Sequence, residues 1–101
     1  MAYTKIGKVW EVPRGAVRPY FVADKEVIVC HTSQGLYAVD NICSHEEGSL
    51  YMGELRGCEI ECPLHGAKFD VRNGKVMSGP ALRPISAFPV RVTGEDIEID
   101  I

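Results

Sequence analysis

The sequence lacks long apolar segments and has no excess of basic residues. Its longest hydrophobic runs, such as residues 27–30, are as long as a β-strand and too short for a signal peptide or a membrane span. Eleven Lys and Arg stand against 14 Asp and Glu, which gives a net charge of −3. Nucleic acids and anionic membranes select basic surfaces, so we expect neither as a partner. We expect a cytoplasmic protein.

Helical and dinucleotide-binding patterns are also missing. No stretch of ten residues has a helical period, and no repeat or linker divides the 101 residues. The absence of a G-x-G-x-x-G motif indicates that the chain does not take hydride from NAD(P)H directly. With 46% apolar residues, we expect one small domain spanning residues 1–101.

The patterns that are present predict β-strands. Branched and aromatic residues at 17–22, 27–31 and 36–39 indicate a meander. Apolar and polar residues alternate at 88–92 and again at 97–101. The predicted fold class is therefore all-β, an antiparallel sandwich or barrel.

Two segments carry more local predictions. Residues 5–12 are equally compatible with a short strand and a single helical turn. Asn73-Gly74 lies between two short runs of strand-forming residues, which predicts a hairpin. Because Asn-Gly readily takes positive φ at both central positions, we expect a type I′ turn there.

The most informative stretch is Cys43-Ser44-His45 followed, after sixteen residues, by Cys62-Pro63-Leu64-His65. Each motif offers one thiolate and one imidazole. Two mixed pairs can give both thiolates to one metal ion and both imidazoles to another, which is the ligand pattern of a [2Fe–2S] cluster of the Rieske type. Neutral imidazoles in place of two thiolates lower the negative charge of the site and so raise its reduction potential. The predicted cofactor-binding and metal-ligating residues are Cys43, His45, Cys62 and His65.

A structural zinc site is the alternative interpretation of these four residues, since zinc also binds two Cys and two His. Zinc modules usually pair like with like, whereas both pairs here are mixed. The remaining Cys30 and Cys58 are interpreted as buried small hydrophobes, with a Cys30–Cys58 disulfide as the less favoured alternative. His31 is expected to be a surface or packing residue. Glu59 and Glu61 are expected to form the solvated face of a strand.

These motifs resemble those of the Rieske-type ferredoxins, the electron carriers of bacterial ring-hydroxylating dioxygenase systems. The resemblance spans nearly the whole chain. It implies a Rieske-like β-sandwich with a two-loop cluster-binding tip, made by loops at about 41–53 and 62–68. A proline loop at about 78–84 would cover the cluster.

The resemblance also implies how the ligands are divided. Cys43 and Cys62 would hold the inner iron, while His45 and His65 would hold the outer, solvent-facing iron and provide the exit for electrons.

High-potential Rieske proteins of respiratory complexes carry an additional cysteine in each ligand loop, linked as a disulfide, and a Ser and a Tyr whose hydroxyls bond a cluster sulfur and a ligand cysteine sulfur. The matching residues here are Gly48, Leu64, Ala67 and Phe69. The resemblance therefore implies the low-potential, ferredoxin-like subtype.

By the same resemblance, the chain is a monomeric one-electron carrier and not an enzyme. It would pass electrons from a flavin-dependent ferredoxin reductase to a terminal Rieske oxygenase in aromatic hydrocarbon catabolism. An oxygenase would itself need two further histidines and a carboxylate for mononuclear iron, and only His31 is left. The alternatives are the small Rieske subunit of a nitrite reductase, an accessory ferredoxin of another pathway, and a zinc-stabilised interaction module.

Overall fold

Short runs of branched and aromatic residues form the strands of a computed structural model that describes residues 3–42, 49–63, 66–79 and 83–101. Single 3₁₀ turns at Val9–Glu11 and Leu50–Met52 are the helices in these ranges. In chain order the strands are β1 (Tyr3–Lys8), β2 (Val17–Val22), β3 (Lys25–Thr32), β4 (Gly35–Asp40), β5 (Glu54–Arg56), β6 (Glu59–Glu61), β7 (Lys68–Asp70), β8 (Val76–Ser78), β9 (Ala87–Phe88), β10 (Val90–Thr93) and β11 (Asp96–Asp100).

The strands form three antiparallel sheets, which confirms the predicted all-β class. The outer sheet has the order β1-β11-β10, the central sheet β2-β3-β4-β9 and the third sheet β5-β6-β7-β8. All neighbouring strands in them are antiparallel. No helix in the described ranges has the length and hydropathy that crossing a bilayer requires.

Strand β3 shows why the central sheet is apolar on both faces. Val27 and Val29 pack into a core that includes Ile97 and Ile99 of the outer sheet. Ile28 and Cys30 point to the opposite face and pack into a second core, which is shared with the third sheet. Because successive side chains of a strand alternate between faces, a strand covered on both sides needs a continuous apolar run.

The third sheet is inserted between two neighbouring strands of the central sheet. Strand β4 ends at Asp40, and its antiparallel partner β9 begins at Ala87. The Asp40 N–H donates to the Ser86 carbonyl over 3.0 Å, so the two ends of the inserted segment lie side by side. Residues 41–86 thus leave the central sheet and return to it at one point.

The hairpin predicted at Asn73-Gly74 is present, but its predicted turn type is wrong. Phe69 of β7 pairs with Val76 of β8, and Gly74 has φ of +79°, whereas Asn73 is not among the residues with positive φ. A type I′ turn needs positive φ at both positions. The Asp70 carboxylate accepts the N–H of Arg72 instead, over 2.9 Å, which fixes a different turn.

The turn with two positive φ angles lies in another hairpin. Val22 of β2 pairs with Lys25 of β3, and the two residues between them, Ala23 and Asp24, have φ of +52° and +62°. Neither is a glycine, and Ala23 disfavours this left-handed conformation, which Asp24 adopts more readily.

Residues 5–12 contain both of the predicted alternatives, since β1 runs directly into the first 3₁₀ turn. The three-residue strand β5 was not predicted. Its Arg56 reaches Glu61 of β6, with 3.7 Å between Nη1 and Oε1. Glu59 and Glu61 are consequently half-buried, not fully solvated as expected.

Candidate metal centre

The first predicted ligand loop starts and ends at residues that are hydrogen-bonded to one another. Ile42 and Ser49 form an isolated antiparallel bridge. The fully buried Asn41 donates from Nδ2 to Ser49 Oγ over 2.9 Å and accepts the Tyr51 N–H at Oδ1 over 2.8 Å. Its carbonyl accepts the N–H of Leu50 over 2.6 Å. The loop is therefore closed at its base.

The second predicted ligand loop is closed in a similar way around Cys62. The Cys62 N–H donates to the Ala67 carbonyl over 2.7 Å, and the Gly66 N–H donates to the Cys62 carbonyl over 3.1 Å. Gly66 has φ of +77°, a conformation that glycine adopts without strain. Cys62 itself is 1% exposed and packs in the same core as Ile60 and Phe69.

The bases of the two loops lie against each other. Glu54 of β5 pairs with Glu61 of β6, directly before Cys62. A Cβ on Gly53 would lie 1.7 Å from the Glu61 carbonyl oxygen, so only glycine permits this close approach. The chain leaving the first loop is thereby held beside the start of the second.

The predicted proline loop begins and ends close to these bases. Ser78, at the end of β8, pairs with Lys68, which directly follows the turn around Cys62. After the loop, the carbonyl of Ser86 accepts the N–H of Asp40, just before the first ligand loop. Three loops of the predicted site therefore leave the sheets close together.

The described ranges include one of the four predicted ligands. Cys62 lies buried at the junction of the loops, while Cys43, His45 and His65 lie outside the described residues. Gly48 and Leu64 also lie outside them, as does the segment 80–82 of the proline loop. Ala67 and Phe69 are fully buried and carry no hydroxyl group.

The other thiols and histidine have the packing roles expected of them. Cys30 is fully buried and Cys58 is half-buried against the same core, and no disulfide joins them. Burial raises the pKa of the Cys30 thiol to about 12, which keeps it protonated and unreactive. His31 Nδ1 lies 2.8 Å from the Val12 carbonyl, which can only accept, so Nδ1 carries a proton.

Sequence reasoning missed two residues that shape the site, Asn41 and Gly53. Asn41 precedes Cys43 by two residues, and asparagine side chains commonly bond nearby backbone groups in loops. That preference was the available signal. Gly53 carried no comparable signal, because its role depends on a carbonyl eight residues later in the chain.

The arrangement fits a two-iron cluster. Cys62 is as fully buried as Cys30, but of the two only Cys62 lies at the start of one predicted ligand loop, beside the closed base of the other, which is the position that the predicted ligand requires. The described ranges contain no group of three or more His, Cys, Asp or Glu side chains placed to hold a metal ion, and three of the four predicted ligands lie outside them. The Rieske [2Fe-2S] domain family matches residues 2–89. The chain belongs to the Rieske [2Fe-2S] domain family.

A curated relative of this Rieske protein is a naphthalene 1,2-dioxygenase system ferredoxin component of Pseudomonas aeruginosa. It is 37% identical over 93 residues, which cover 92% of this chain and 89% of the relative. The solved ferredoxin of carbazole 1,9a-dioxygenase from Nocardioides aromaticivorans IC177 is 34% identical with a TM-score of 0.92, covering 98% of this chain and 97% of that one.

A further solved structure is a complex of reduced oxygenase and oxidized ferredoxin in carbazole 1,9a-dioxygenase. The matching chain is 30% identical with a TM-score of 0.89, covering 96% of this chain and 91% of that one. These similarities identify this Rieske protein as an electron carrier of the ferredoxin type that bears one [2Fe–2S] cluster, and not as an enzyme. The zinc interpretation is thereby set aside.

Proposed function

We propose that this Rieske ferredoxin carries single electrons from a flavin-dependent reductase to a terminal Rieske oxygenase that acts on an aromatic compound. The observation that carries the proposal is the nearly full-length similarity to ferredoxins of two dioxygenase systems, together with the complex of such a ferredoxin and its oxygenase. The systems act on different substrates, naphthalene and carbazole, so the proposal names a substrate class and no single compound.

The proposal assigns the cluster to Cys43, His45, Cys62 and His65 of a single domain, residues 1–101. Cys43 and Cys62 would bind the inner iron, and His45 and His65 the outer iron at the exit for electrons. The burial of Cys62 and the closed bases of the loops at about 41–53 and 62–68 support this assignment. The loop at about 78–84 would cover the site.

When bound, the cluster supplies a one-electron redox centre. The chain would hold it in a setting that keeps its potential in the ferredoxin-like range. Ala67 and Phe69 support this, because neither side chain can donate a hydroxyl hydrogen bond to a cluster sulfur or to a ligand sulfur. The unpaired thiols of Cys30 and Cys58 favour the cytoplasm, where disulfides rarely form.

Electron transfer from the reduced protein tests the proposal. The holo-protein is reduced with dithionite, freed of reductant and mixed anaerobically with the oxidised dioxygenase component of the naphthalene 1,2-dioxygenase system. We expect the visible spectrum of the ferredoxin to return to its oxidised form, and product to form when reductase, NADH and oxygen are added. A reduced ferredoxin that neither this oxygenase nor the oxygenase of carbazole 1,9a-dioxygenase oxidises would contradict the proposal.

A further inference from the structure

Four large apolar side chains are exposed where the first ligand loop joins the sheets. Phe21 is 81% exposed, Met52 70%, Ile42 45% and Tyr51 44%. We call these four residues the foot surface. Burying a side chain of this size is favourable, so each represents apolar packing that the folded chain leaves unused.

Backbone contacts bring the four residues of the foot surface together. Ile42 is bridged to Ser49, and Tyr51 and Met52 follow in the 3₁₀ turn Leu50–Met52. This turn packs against β2, the strand of Phe21. Phe21 pairs with Glu26, whose carbonyl accepts the Asn41 N–H over 3.1 Å, next to Ile42.

Other exposed apolar side chains in the described ranges are distributed differently. Met77, 50% exposed, lies in β8, at the edge of the third sheet opposite β5. Tyr3 lies under the guanidinium of Arg91, 4.1 Å from Cζ to the ring centre. Trp10 and Val92 lie in or beside the outer sheet, on the far side of the central sheet. Single exposed apolar residues are ordinary, whereas a contiguous group indicates an interaction site.

An acidic cleft continues the foot surface towards the second ligand loop. It has a volume of about 230 Å³ and is lined by Met52, Gly53, Glu54, Glu61 and Pro63, the last being adjacent to Cys62. Arg56 pairs with Glu54 over 3.0 Å and more distantly with Glu61 over 3.7 Å. Among the described residues, no basic side chain lines the cleft itself, and the three carboxylates of Glu54, Glu59 and Glu61 outnumber Arg56 and Lys68, the basic residues paired with them across these strands. The cleft therefore suits an incoming Lys or Arg.

We propose that the foot surface and this cleft form the docking site for the electron-accepting oxygenase, whose contact face would be an apolar patch bordered by Lys or Arg. The inference rests on the proposed electron-carrier function. The foot surface and the cleft lie beside the bases of both predicted ligand loops, so a partner docked there would be near the cluster. The acidic rim would guide the encounter, while the apolar centre would hold the complex.

Substitution of the two most exposed residues tests the apolar part of the docking site. Phe21→Ser with Met52→Ser should lower the second-order rate constant for oxidation of the reduced ferredoxin by the naphthalene dioxygenase component by about tenfold or more, as expected for central interface residues. Trp10→Ser removes an aromatic residue that is 67% exposed on the far side of the central sheet. Its second-order rate constant should stay within twofold of that of the parent protein. Visible spectra and reduction potentials should be unchanged in both variants.

Charge reversal tests the cleft. The transfer rate of the parent protein should fall as ionic strength rises, because opposite charges steer the encounter. Glu54→Lys should lower the rate at low salt and flatten this dependence. Glu95→Lys, an equal charge change in the exposed turn before β11, should leave the salt dependence close to that of the parent.

The possible results separate this proposal from the proposed function. A parent protein that transfers electrons, with foot-surface variants within twofold of it, would refute the docking site alone. Sedimentation that shows a dimeric parent and a monomeric double variant of equal transfer rate would assign the surface to a second copy of the chain and also refute it. A parent protein that transfers no electrons would refute the proposed function.

Discussion

The outer and central sheets differ from the inserted segment 41–86 in what stabilises them. The first region has strands of up to eight residues and a buried core of Val, Ile and Ala side chains. In the inserted segment, each of the four strands of the third sheet has only three residues. Two buried polar residues of the described ranges, Asn41 and Asp70, belong to this segment.

The difference shows how a small chain builds a metal site. Three-residue strands are marginal alone, so the third sheet depends on the core it shares with the central sheet, on side chains that bind loop backbones, and on the cluster. Loops shaped by such hydrogen bonds can take conformations that regular strands cannot. We expect substitutions in the two regions to have different effects on the cluster.

Removing a predicted cluster ligand should have the largest effect. Cys62→Ala should abolish the cluster and unfold the third sheet, because ligand binding contributes to folding in small metal domains. Iron content, visible absorption and the EPR signal after dithionite reduction measure this loss. Cys58→Ala, a half-buried cysteine four residues earlier, should keep the full iron content. A Cys62→Ala protein with a complete cluster would exclude Cys62 as a ligand.

Matched buried polar residues give the next comparison. Asn41→Ala leaves the Tyr51 N–H without its partner and should lower the free energy of unfolding by about 2–3 kcal/mol, with faster loss of iron to a chelator. Thr32, whose hydroxyl donates to the Gly35 carbonyl over 3.0 Å, ties the β3–β4 turn. Thr32→Val should cost about 1 kcal/mol and leave the rate of iron loss unchanged. Equal rates of iron loss in the two variants would contradict the expectation that substitutions in the two regions affect the cluster differently.

Acid should weaken the inserted segment through Asp70. Hydrogen bonds from the Arg72 side chain hold the pKa of this carboxyl below its ordinary value, despite its burial. Its stabilising contribution is therefore complete above the ordinary pKa of about 3.9 and is lost as pH falls through the lower folded value. Asp70→Asn should be about 1–2 kcal/mol less stable than the parent at pH 7, with the gap closing towards pH 2. Denaturant titrations at both pH values test this; a constant gap would contradict it.

Both hairpin turns should favour glycine where φ is positive, so adding glycine to one and removing it from the other should have opposite effects on stability. Ala23→Asn combined with Asp24→Gly gives the β2–β3 turn the residues that its positive φ angles favour, and should raise the free energy of unfolding by about 0.5–1 kcal/mol. Gly74→Ala should destabilise the β7–β8 turn, since its Cβ would lie 2.0 Å from the Ile85 carbonyl oxygen. Thermal unfolding of each variant measures the sign. A stabilising Gly74→Ala would be inconsistent with this account.

The sequence predicted what depends on local patterns. Strand β2 was predicted with its observed bounds, and the alternating residues that end at Cys62 led to a buried Ile60. The Cys-x-His motif at residues 43–45 and the Cys-x-x-His motif at 62–65 led to the family that the comparison found, through their ligand chemistry and their resemblance to known motifs. The ligand assignment stays a prediction for all four residues, Cys43, His45, Cys62 and His65; the position of Cys62 at the base of the second loop supports it.

What the sequence did not predict depends on contacts made at a distance or on competing hydrogen bonds. Strand β5 forms because Glu54 pairs with Glu61, and three residues are too few to show a period. The turn at Asn73-Gly74 differs from the predicted type because the Asp70 side chain accepts the backbone N–H of Arg72. Ala23 and Asp24 gave no sign of their positive φ angles, which the pairing of the flanking strands imposes.

The hydrogen bond between Asp40 and Ser86 suggests how the chain could have been assembled in evolution. An ancestral hairpin joining β4 to β9 would need only one opened turn to accept the inserted segment 41–86. The two ends of that segment already lie side by side. The same junction is a natural place to graft the segment onto another β-protein. A recipient would need apolar residues at the positions of Ile28, Cys30 and Val39, which cover the inserted segment here.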